Sequence, residues 1–264
     1  MAIEKINRRY SSNLGFSKVE AFDVLFQEGA EGSVGMIMKL NDCPFHKFWY
    51  SLIGDEHLVT IYAVPVHRKN RQWNWPLDKD REGIELLIRS FKSMWSDRDP
   101  IWQYSCGTHS VENSFDTDHI LLSGGSVSNL ITRNYFDHFK GIRYAIGYDM
   151  PDYTNIRIYD RVSSKNIYAT YKDSELGHRI PDTDIGILTV MRNPINETKY
   201  LIGCMGIHSF GSLGCYKVLS NQRLLNELMQ IIEIPLRNKG YQILLAYDVT
   251  NDKVRLQKRT LHKF

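Results

Sequence analysis

The chain has 264 residues, of which 42% are hydrophobic and 24% charged, and 33 basic against 30 acidic side chains leave a formal charge of +3. These values are those of an ordinary globular protein with room for a sizeable core. The near balance of charge excludes a nucleic-acid-binding function driven by bulk electrostatics, and no run approaches the ~20 apolar residues a helix needs to cross a bilayer, so no membrane partner is expected.

The opening stretch, Met1-Ala2-Ile3-Glu4-Lys5-Ile6-Asn7-Arg8-Arg9, is polar and lacks the apolar centre of a signal peptide, which predicts a cytoplasmic protein. Residues 1–55 carry weak periodicity. Residues 19–26 alternate loosely, 32–40 read as a strand after a turn, and Cys43-Pro44-Phe45-His46-Lys47-Phe48-Trp49-Tyr50 is dense in aromatics. This segment reads as an N-terminal extension: either a cap on the main core or an aromatic surface for a protein partner. One α/β domain is expected over 56–264.

From residue 57 the pattern sharpens. Residues 57–66 form a near-continuous apolar and β-branched run, as in a buried strand. A loop rich in Arg, Asn and Trp follows, with Arg68, Lys69, Arg71, Trp73 and Trp75 able to clamp a phosphate or stack a base. Residues 80–95 read as a helix with Ile84, Leu87, Ile88, Phe91 and Trp95 on one face, N-capped by Asp78 or Asp80. A short strand over 101–104 is followed by a strand over 119–123.

That last strand runs into Ser123-Gly124-Gly125-Ser126-Val127-Ser128-Asn129, and a helix is expected from Ser126 or Ser128 through Phe139. Short alternating runs within 142–171 predict an antiparallel ribbon. Strands over 185–191 and 199–204 lead to a second glycine loop, Gly203-Cys204-Met205-Gly206-Ile207-His208-Ser209-Phe210-Gly211-Ser212-Leu213-Gly214. Helices over 212–219 and 221–237 come next, then a hairpin turning at Thr250-Asn251-Asp252. In its second arm Lys253 and Arg255 alternate with Val254 and Leu256 and, with Lys258, Arg259 and Lys263, read as a solvated strand face rather than a nucleic-acid contact. Strands alternating with helices predict a Rossmann-like α/β fold: a mainly parallel central sheet flanked by helices, with antiparallel additions in the middle and at the C-terminus.

Two strand–glycine loop–helix units suggest a ligand site at the carboxyl edge of the sheet. Glycines let backbone N–H groups approach an anion, and a helix N-terminus attracts negative charge. The candidate ligand-binding residues are Ser123, Gly124, Gly125, Ser126 and Asn129 in the first loop and Gly206, Ser209, Gly211 and Ser212 in the second. His208 is the one side chain of these loops able to exchange protons near neutral pH, and is the candidate catalytic acid–base. Asp116, Asp118, Asp182 and Asp184 precede strands and read as turn residues and caps, while Glu175 and His178 lie in a polar loop able to fold over the site. Cys43, Cys106, Cys204 and Cys215 read as free, buried thiols. Cys106-x-x-His109 and Cys204-x-x-x-His208 each have half of a zinc spacing without a second half, so no metal is expected. No motif names a cofactor.

Ile120-Leu121-Leu122-Ser123-Gly124-Gly125-x-x-x-Asn129 together with Gly203-x-x-Gly206-x-x-x-x-Gly211-Ser212 resembles Rossmann-like domains of the SLOG type. The resemblance covers roughly residues 56–220. It implies that the two loops jointly hold a nucleotide-derived ligand. Ser212 stands where Thr is usual, and the Pro before and the Glu after the glycines of phosphoribohydrolase members are missing. The first pattern also resembles Rossmann-like modules of surface-layer and wall-binding proteins, which are not enzymes. The expected function is therefore binding of a nucleotide or nucleotide-derived molecule between the loops, as a sensor or as a hydrolase of a glycosidic or phosphoester bond. The alternative is a noncatalytic module that binds a protein partner or a second copy of itself.

Overall fold

A computed structural model describes residues 43–54, 59–63, 74–94, 101–104, 117–127, 129–134, 139, 141–150, 154–173, 179–234, 236 and 240–264. The first described helix, α1 (Pro44–Ile53), has proline in its first turn, where a missing N–H costs nothing. It ends at Gly54, whose φ of +56° suits a residue without Cβ. Its aromatic and aliphatic residues at 45, 48, 49, 52 and 53 form one buried stripe. That stripe packs into the core: Trp49 and Phe91 rings lie 4.7 Å apart, and Trp49 Nε1 donates to the Leu219 carbonyl at 3.2 Å. These aromatics of the N-terminal segment are thus core, with Tyr50 exposed.

The remaining elements are β1 (Val59–Ala63), α2 (Asn74–Met94), β2 (Ile101–Tyr104), β3 (His119–Ser123), α3 (Leu130–Asn134), β4 (Tyr144–Asp149), β5 (Thr154–Asp160), β6 (Lys165–Ile167), β7 (Thr170–Asp173), β8 (Arg179–Arg192), β9 (Tyr200–Gly206), α4 (Ser209–Ser220), α5 (Gln222–Met229), β10 (Gly240–Asp248), β11 (Lys253–Leu256) and β12 (His262–Lys263). The main sheet has nine strands in the order β11-β10-β8-β9-β3-β1-β2, with β12 against β10 and β7 against β8.

The expected mainly parallel, Rossmann-like sheet is not what forms. Among the described residues, only β1–β2, β1–β3 and β3–β9 pair parallel. The pairs β7–β8, β8–β9, β8–β10, β10–β11 and β10–β12 are antiparallel. The reason lies in the connections. Residues 193–199 join β8 to β9, and 249–252 join β10 to β11; links this short can only reverse the chain. The crossover β9–α4–α5–β10 connects two strands that run the same way, but β8 lies antiparallel between them.

The helices expected on both sides are also redistributed. Among the described residues, α1, α2, α4 and α5 pack on one face of the sheet, against Leu121, Leu188, Val190, Ile202, Ile243 and Leu245. The other face, with Ile120, Leu122, Ile187, Leu201, Met205 and Leu244, is covered mainly by the three-stranded sheet β4-β5-β6 and by short α3. Adjacent residues Leu121 and Leu122 belong to opposite layers, as the two-residue period of a strand requires.

The small sheet is fastened by a buried amide. Gln242 Oε1 accepts the N–H groups of Arg143 (2.7 Å) and Tyr144 (2.9 Å), and its Nε2 donates to the Tyr144 carbonyl (3.1 Å) and Thr189 Oγ1 (3.2 Å). Every donor and acceptor of that side chain is engaged, which is what makes a polar group tolerable at full burial. No helix among the described residues is long and apolar enough to cross a membrane.

Candidate functional site

Because β3 and β9 pair parallel and directly, with Ser123 beside Cys204, both glycine loops leave the sheet at one edge, next to each other. The first loop is shaped mainly by backbone chemistry. Gly124 has a φ of +87°, and its N–H donates to the Cys204 carbonyl of the neighbouring strand at 2.9 Å. Asn129 then closes the loop. Its Nδ2 donates to the Ser123 carbonyl (2.8 Å), and its Oδ1 accepts from Ile131 N (2.9 Å) and Thr132 N (3.3 Å), capping α3. Ser126 Oγ donates to the Ile146 carbonyl of β4 at 3.3 Å.

The second loop holds the N-terminus of α4 close against β8. A Cβ on Gly206 would lie 2.6 Å from Ser212 N and against the His208 carbonyl; one on Gly211 would lie 2.5 Å from the Ile185 carbonyl. Both glycines are therefore required by close approach of backbone to backbone.

At that junction sits Asp184 of β8, fully buried. Its carboxyl accepts Gly211 N at 2.5 Å, His208 N at 3.1 Å and its own neighbour Ile185 N at 2.9 Å. Here the protein's own carboxyl group takes the place at a helix N-terminus that a bound anion would otherwise occupy. Burial pushes its pKa up to about 8; the backbone donors pull it down, and the nearby Asp80 carboxyl raises it further.

Asp80 comes from α2. The helix begins at Asn74, so Asp80 is no cap but an interior residue on the same stripe as Ile84, Leu87 and Phe91, all buried. Gly83 lets α2 approach α4: a Cβ there would collide with the Tyr216 ring. Asp80 is 6% exposed, and its Oδ1 has no hydrogen-bond partner among the described residues. Burial raises its pKa to about 7, against the pull of the Ser212 hydroxyl. Two carboxyl groups from distant parts of the sequence thus sense each other beneath the second glycine loop.

Between the two loops lies a cleft of about 60 Å³, lined by Asp80, Gly124, Gly125, Val127, Ile146, Ile156, Gly206, Ile207, His208, Ser209 and Ser212. Among the described residues, no Lys or Arg lines it. His208 Nε2 lies 2.7 Å from the Tyr171 hydroxyl, and the two rings meet edge to face. Burial lowers the His208 pKa, so the ring is neutral at pH 7. The Arg179 guanidinium lies over the Tyr171 ring, 4.8 Å from its centre.

Of the residues singled out in the sequence, Gly124, Gly125, Gly206, His208, Ser209 and Ser212 meet around the cleft. Ser123, Ser126, Asn129 and Gly211 lie outside its lining; Ser126, Asn129 and Gly211 hold the loops in shape. Arg68, Lys69, Arg71, Trp73, Cys106, His109, Asp116, Ser128, Glu175 and His178 lie outside the described residues. Among the described residues no group of His, Cys, Asp or Glu could hold a metal ion. Sequence reading missed Asp80, Asp184 and Tyr171 as site residues. Asp80 had a usable signal: the apolar period 84–87–91, carried one step back, lands on it. Asp184 and Tyr171 had none, since their roles depend on strand pairing.

No protein-family model matches the chain, and no curated protein matches it.

Proposed function

We propose that this protein binds a nucleotide-derived ligand in the cleft between its two glycine loops. The observation that carries the reading is the convergence of the loops on a cleft where Asp80 keeps an unsatisfied oxygen beside His208, Ser209 and Ser212. A buried acceptor without a donor is costly in the free protein, and a ligand that supplies the donor recovers that cost. The cleft itself, at about 60 Å³, is well below the several hundred Å³ of a site that encloses a whole ligand. It takes one edge of the molecule, and the rest lies along the sheet edge outside.

Turnover is the second reading, favoured by a neutral His208 on the cleft wall near a carboxyl group. Hydrolysis of a glycosidic or phosphoester bond would use His208 as acid–base. Thermal unfolding against a panel of nucleosides, nucleotides and dinucleotides tests both. A ligand at a hundredfold over its Kd adds roughly 2.7 kcal/mol of stability. Gly125→Val should abolish that gain, because the Cβ already reaches Ile146 and the branches enter the cleft. His208→Ala should retain binding, and if the protein is an enzyme it should lose turnover. No shift with any member of the panel refutes the reading and leaves the protein-interaction alternative.

A further inference from the structure

The charge and hydrogen-bonding character of the cleft specify which part of such a ligand enters it; this inference rests on the binding reading above. Two N–H groups at the head of α4, those of His208 and Gly211, where a phosphate would ordinarily be expected, are engaged by Asp184. The cleft lining contains a carboxyl group and, among the described residues, no Lys or Arg. A phosphate placed there would meet an acid, a neutral imidazole and a helix terminus with the His208 and Gly211 donors already taken. What the site lacks among the described residues is a donor: Asp80 Oδ1 is buried and has no hydrogen-bond partner among them. Much of the remaining lining is aliphatic, with Val127, Ile146, Ile156 and Ile207. The volume, about 60 Å³, is that of roughly two water molecules in the liquid. Carbon-bound hydroxyl groups fit all three conditions: they donate to the acid, carry no charge, and present C–H surface to the aliphatic lining.

We infer that the cleft receives the hydroxyl-bearing edge of a sugar, with a ligand hydroxyl donating to Asp80 Oδ1, and that any phosphate of the same ligand remains outside the cleft. Asp80 is then the residue that selects for a hydroxyl. The Ser209 and Ser212 side chains complete a rim that can exchange hydrogen bonds with neighbouring hydroxyls. Asp184 serves as a positioning residue, keeping the second loop in place and denying the helix terminus to an anion.

The test is calorimetric titration of the full chain with the four common nucleosides, their 5′-monophosphates and their 2′,3′-dideoxy analogues. Inorganic phosphate is the competitor, and wild type is compared with Asp80→Asn. A nucleoside and its 5′-monophosphate should bind within about threefold of each other, and phosphate should not compete. At pH 8 and above, where the Asp80 carboxyl is largely ionised, loss of the hydroxyls should cost wild type about tenfold or more in Kd, the effect of a hydrogen bond to a charged acceptor. That penalty should fall below about threefold in Asp80→Asn. The dideoxy comparison within wild type requires no variant to fold. A monophosphate bound more than tenfold tighter than its nucleoside, with phosphate competing, overturns the inference while leaving the binding reading intact. So does a dideoxy penalty that is absent in wild type or equal in both proteins. Failure of every nucleoside and nucleotide to bind overturns the binding reading itself.

Discussion

Replacing Asp80 by Asn should change the pH dependence of stability in a calculable way. Asp80 has an ordinary pKa of 3.8 and a folded-state value of about 7, with burial the main cause. Between those values the folded protein holds a proton that the unfolded chain has released. Stability in wild type therefore falls as pH rises through this window, at about 1.4 kcal/mol per pH unit for a full proton. Above pH 7 the folded carboxyl ionises too, and the loss levels off. The two ionisation curves give a loss of nearly 2 kcal/mol already incurred at pH 5 and roughly 4 kcal/mol at pH 8. Asn has nearly the same shape and no proton to exchange. The stability of Asp80→Asn minus that of wild type should thus rise by roughly 2–3 kcal/mol between pH 5 and pH 8. Any fixed cost of fitting an amide beside Ser212 cancels from that rise. Removing Asp80 also relieves Asp184, whose raised pKa Asp80 reinforces, and this acts in the same direction. Urea unfolding of both proteins at half-unit pH intervals measures the difference. A difference that stays constant across the range, or shrinks with rising pH, would refute the claim that Asp80 is a buried carboxyl lacking a charge-stabilising partner.

Other expectations follow from the same contacts. Gly206→Ala should destabilise by about 3 kcal/mol or more, because its Cβ meets rigid backbone, whereas Gly125→Ala should cost about 1 kcal/mol or less, its neighbour being the movable Ile146 side chain; parallel urea titrations decide. Gln242→Leu leaves Arg143 N, Tyr144 N and the Tyr144 carbonyl without their partner and should cost roughly 3 kcal/mol or more, with hydrogen exchange accelerating first at residues 143 and 144. The Arg143 guanidinium holds Asp160 well below the usual carboxylate range, so this pair stabilises the fold above the ordinary carboxylate pKa and loses its effect as pH falls. Arg143→Met should therefore weaken the protein more at pH 7 than at pH 3, and an equal loss at both would contradict the pairing. The His208 imidazole should titrate below 6.5 in an NMR pH series, since burial opposes its charging; a midpoint at or above 6.5 would contradict that environment.

Local patterns in the sequence carried the elements that frame the site. The run His119–Ser123 is a strand with the limits its apolar content indicates, and the glycine turns after it and after β9 stand where small residues cluster. The alternation of Lys253, Val254, Arg255 and Leu256 becomes a strand with its cations exposed. The helix ends were less legible. The second-glycine-loop helix starts three residues before the expected Ser212, because Asp184 caps it from another strand rather than a neighbouring residue. The helix carrying Asp80 starts six residues before the expected position, which turns a presumed cap into an interior acid.

Features that depend on near neighbours follow from local chemistry alone: the strand and helix periods, the two glycine turns, and the burial of residues that alternate or recur on one face. Strand direction was left to the tertiary structure, because an apolar run pairs equally well in either sense until its connection constrains it. The 193–199 and 249–252 links impose reversal on the β8–β9 and β10–β11 pairs. The joining of Asp80 to Asp184 was also decided there. Neither aspartate is unusual in its own segment, and each becomes a buried, proton-holding group only when α2 and β8 close on the head of α4 and exclude water.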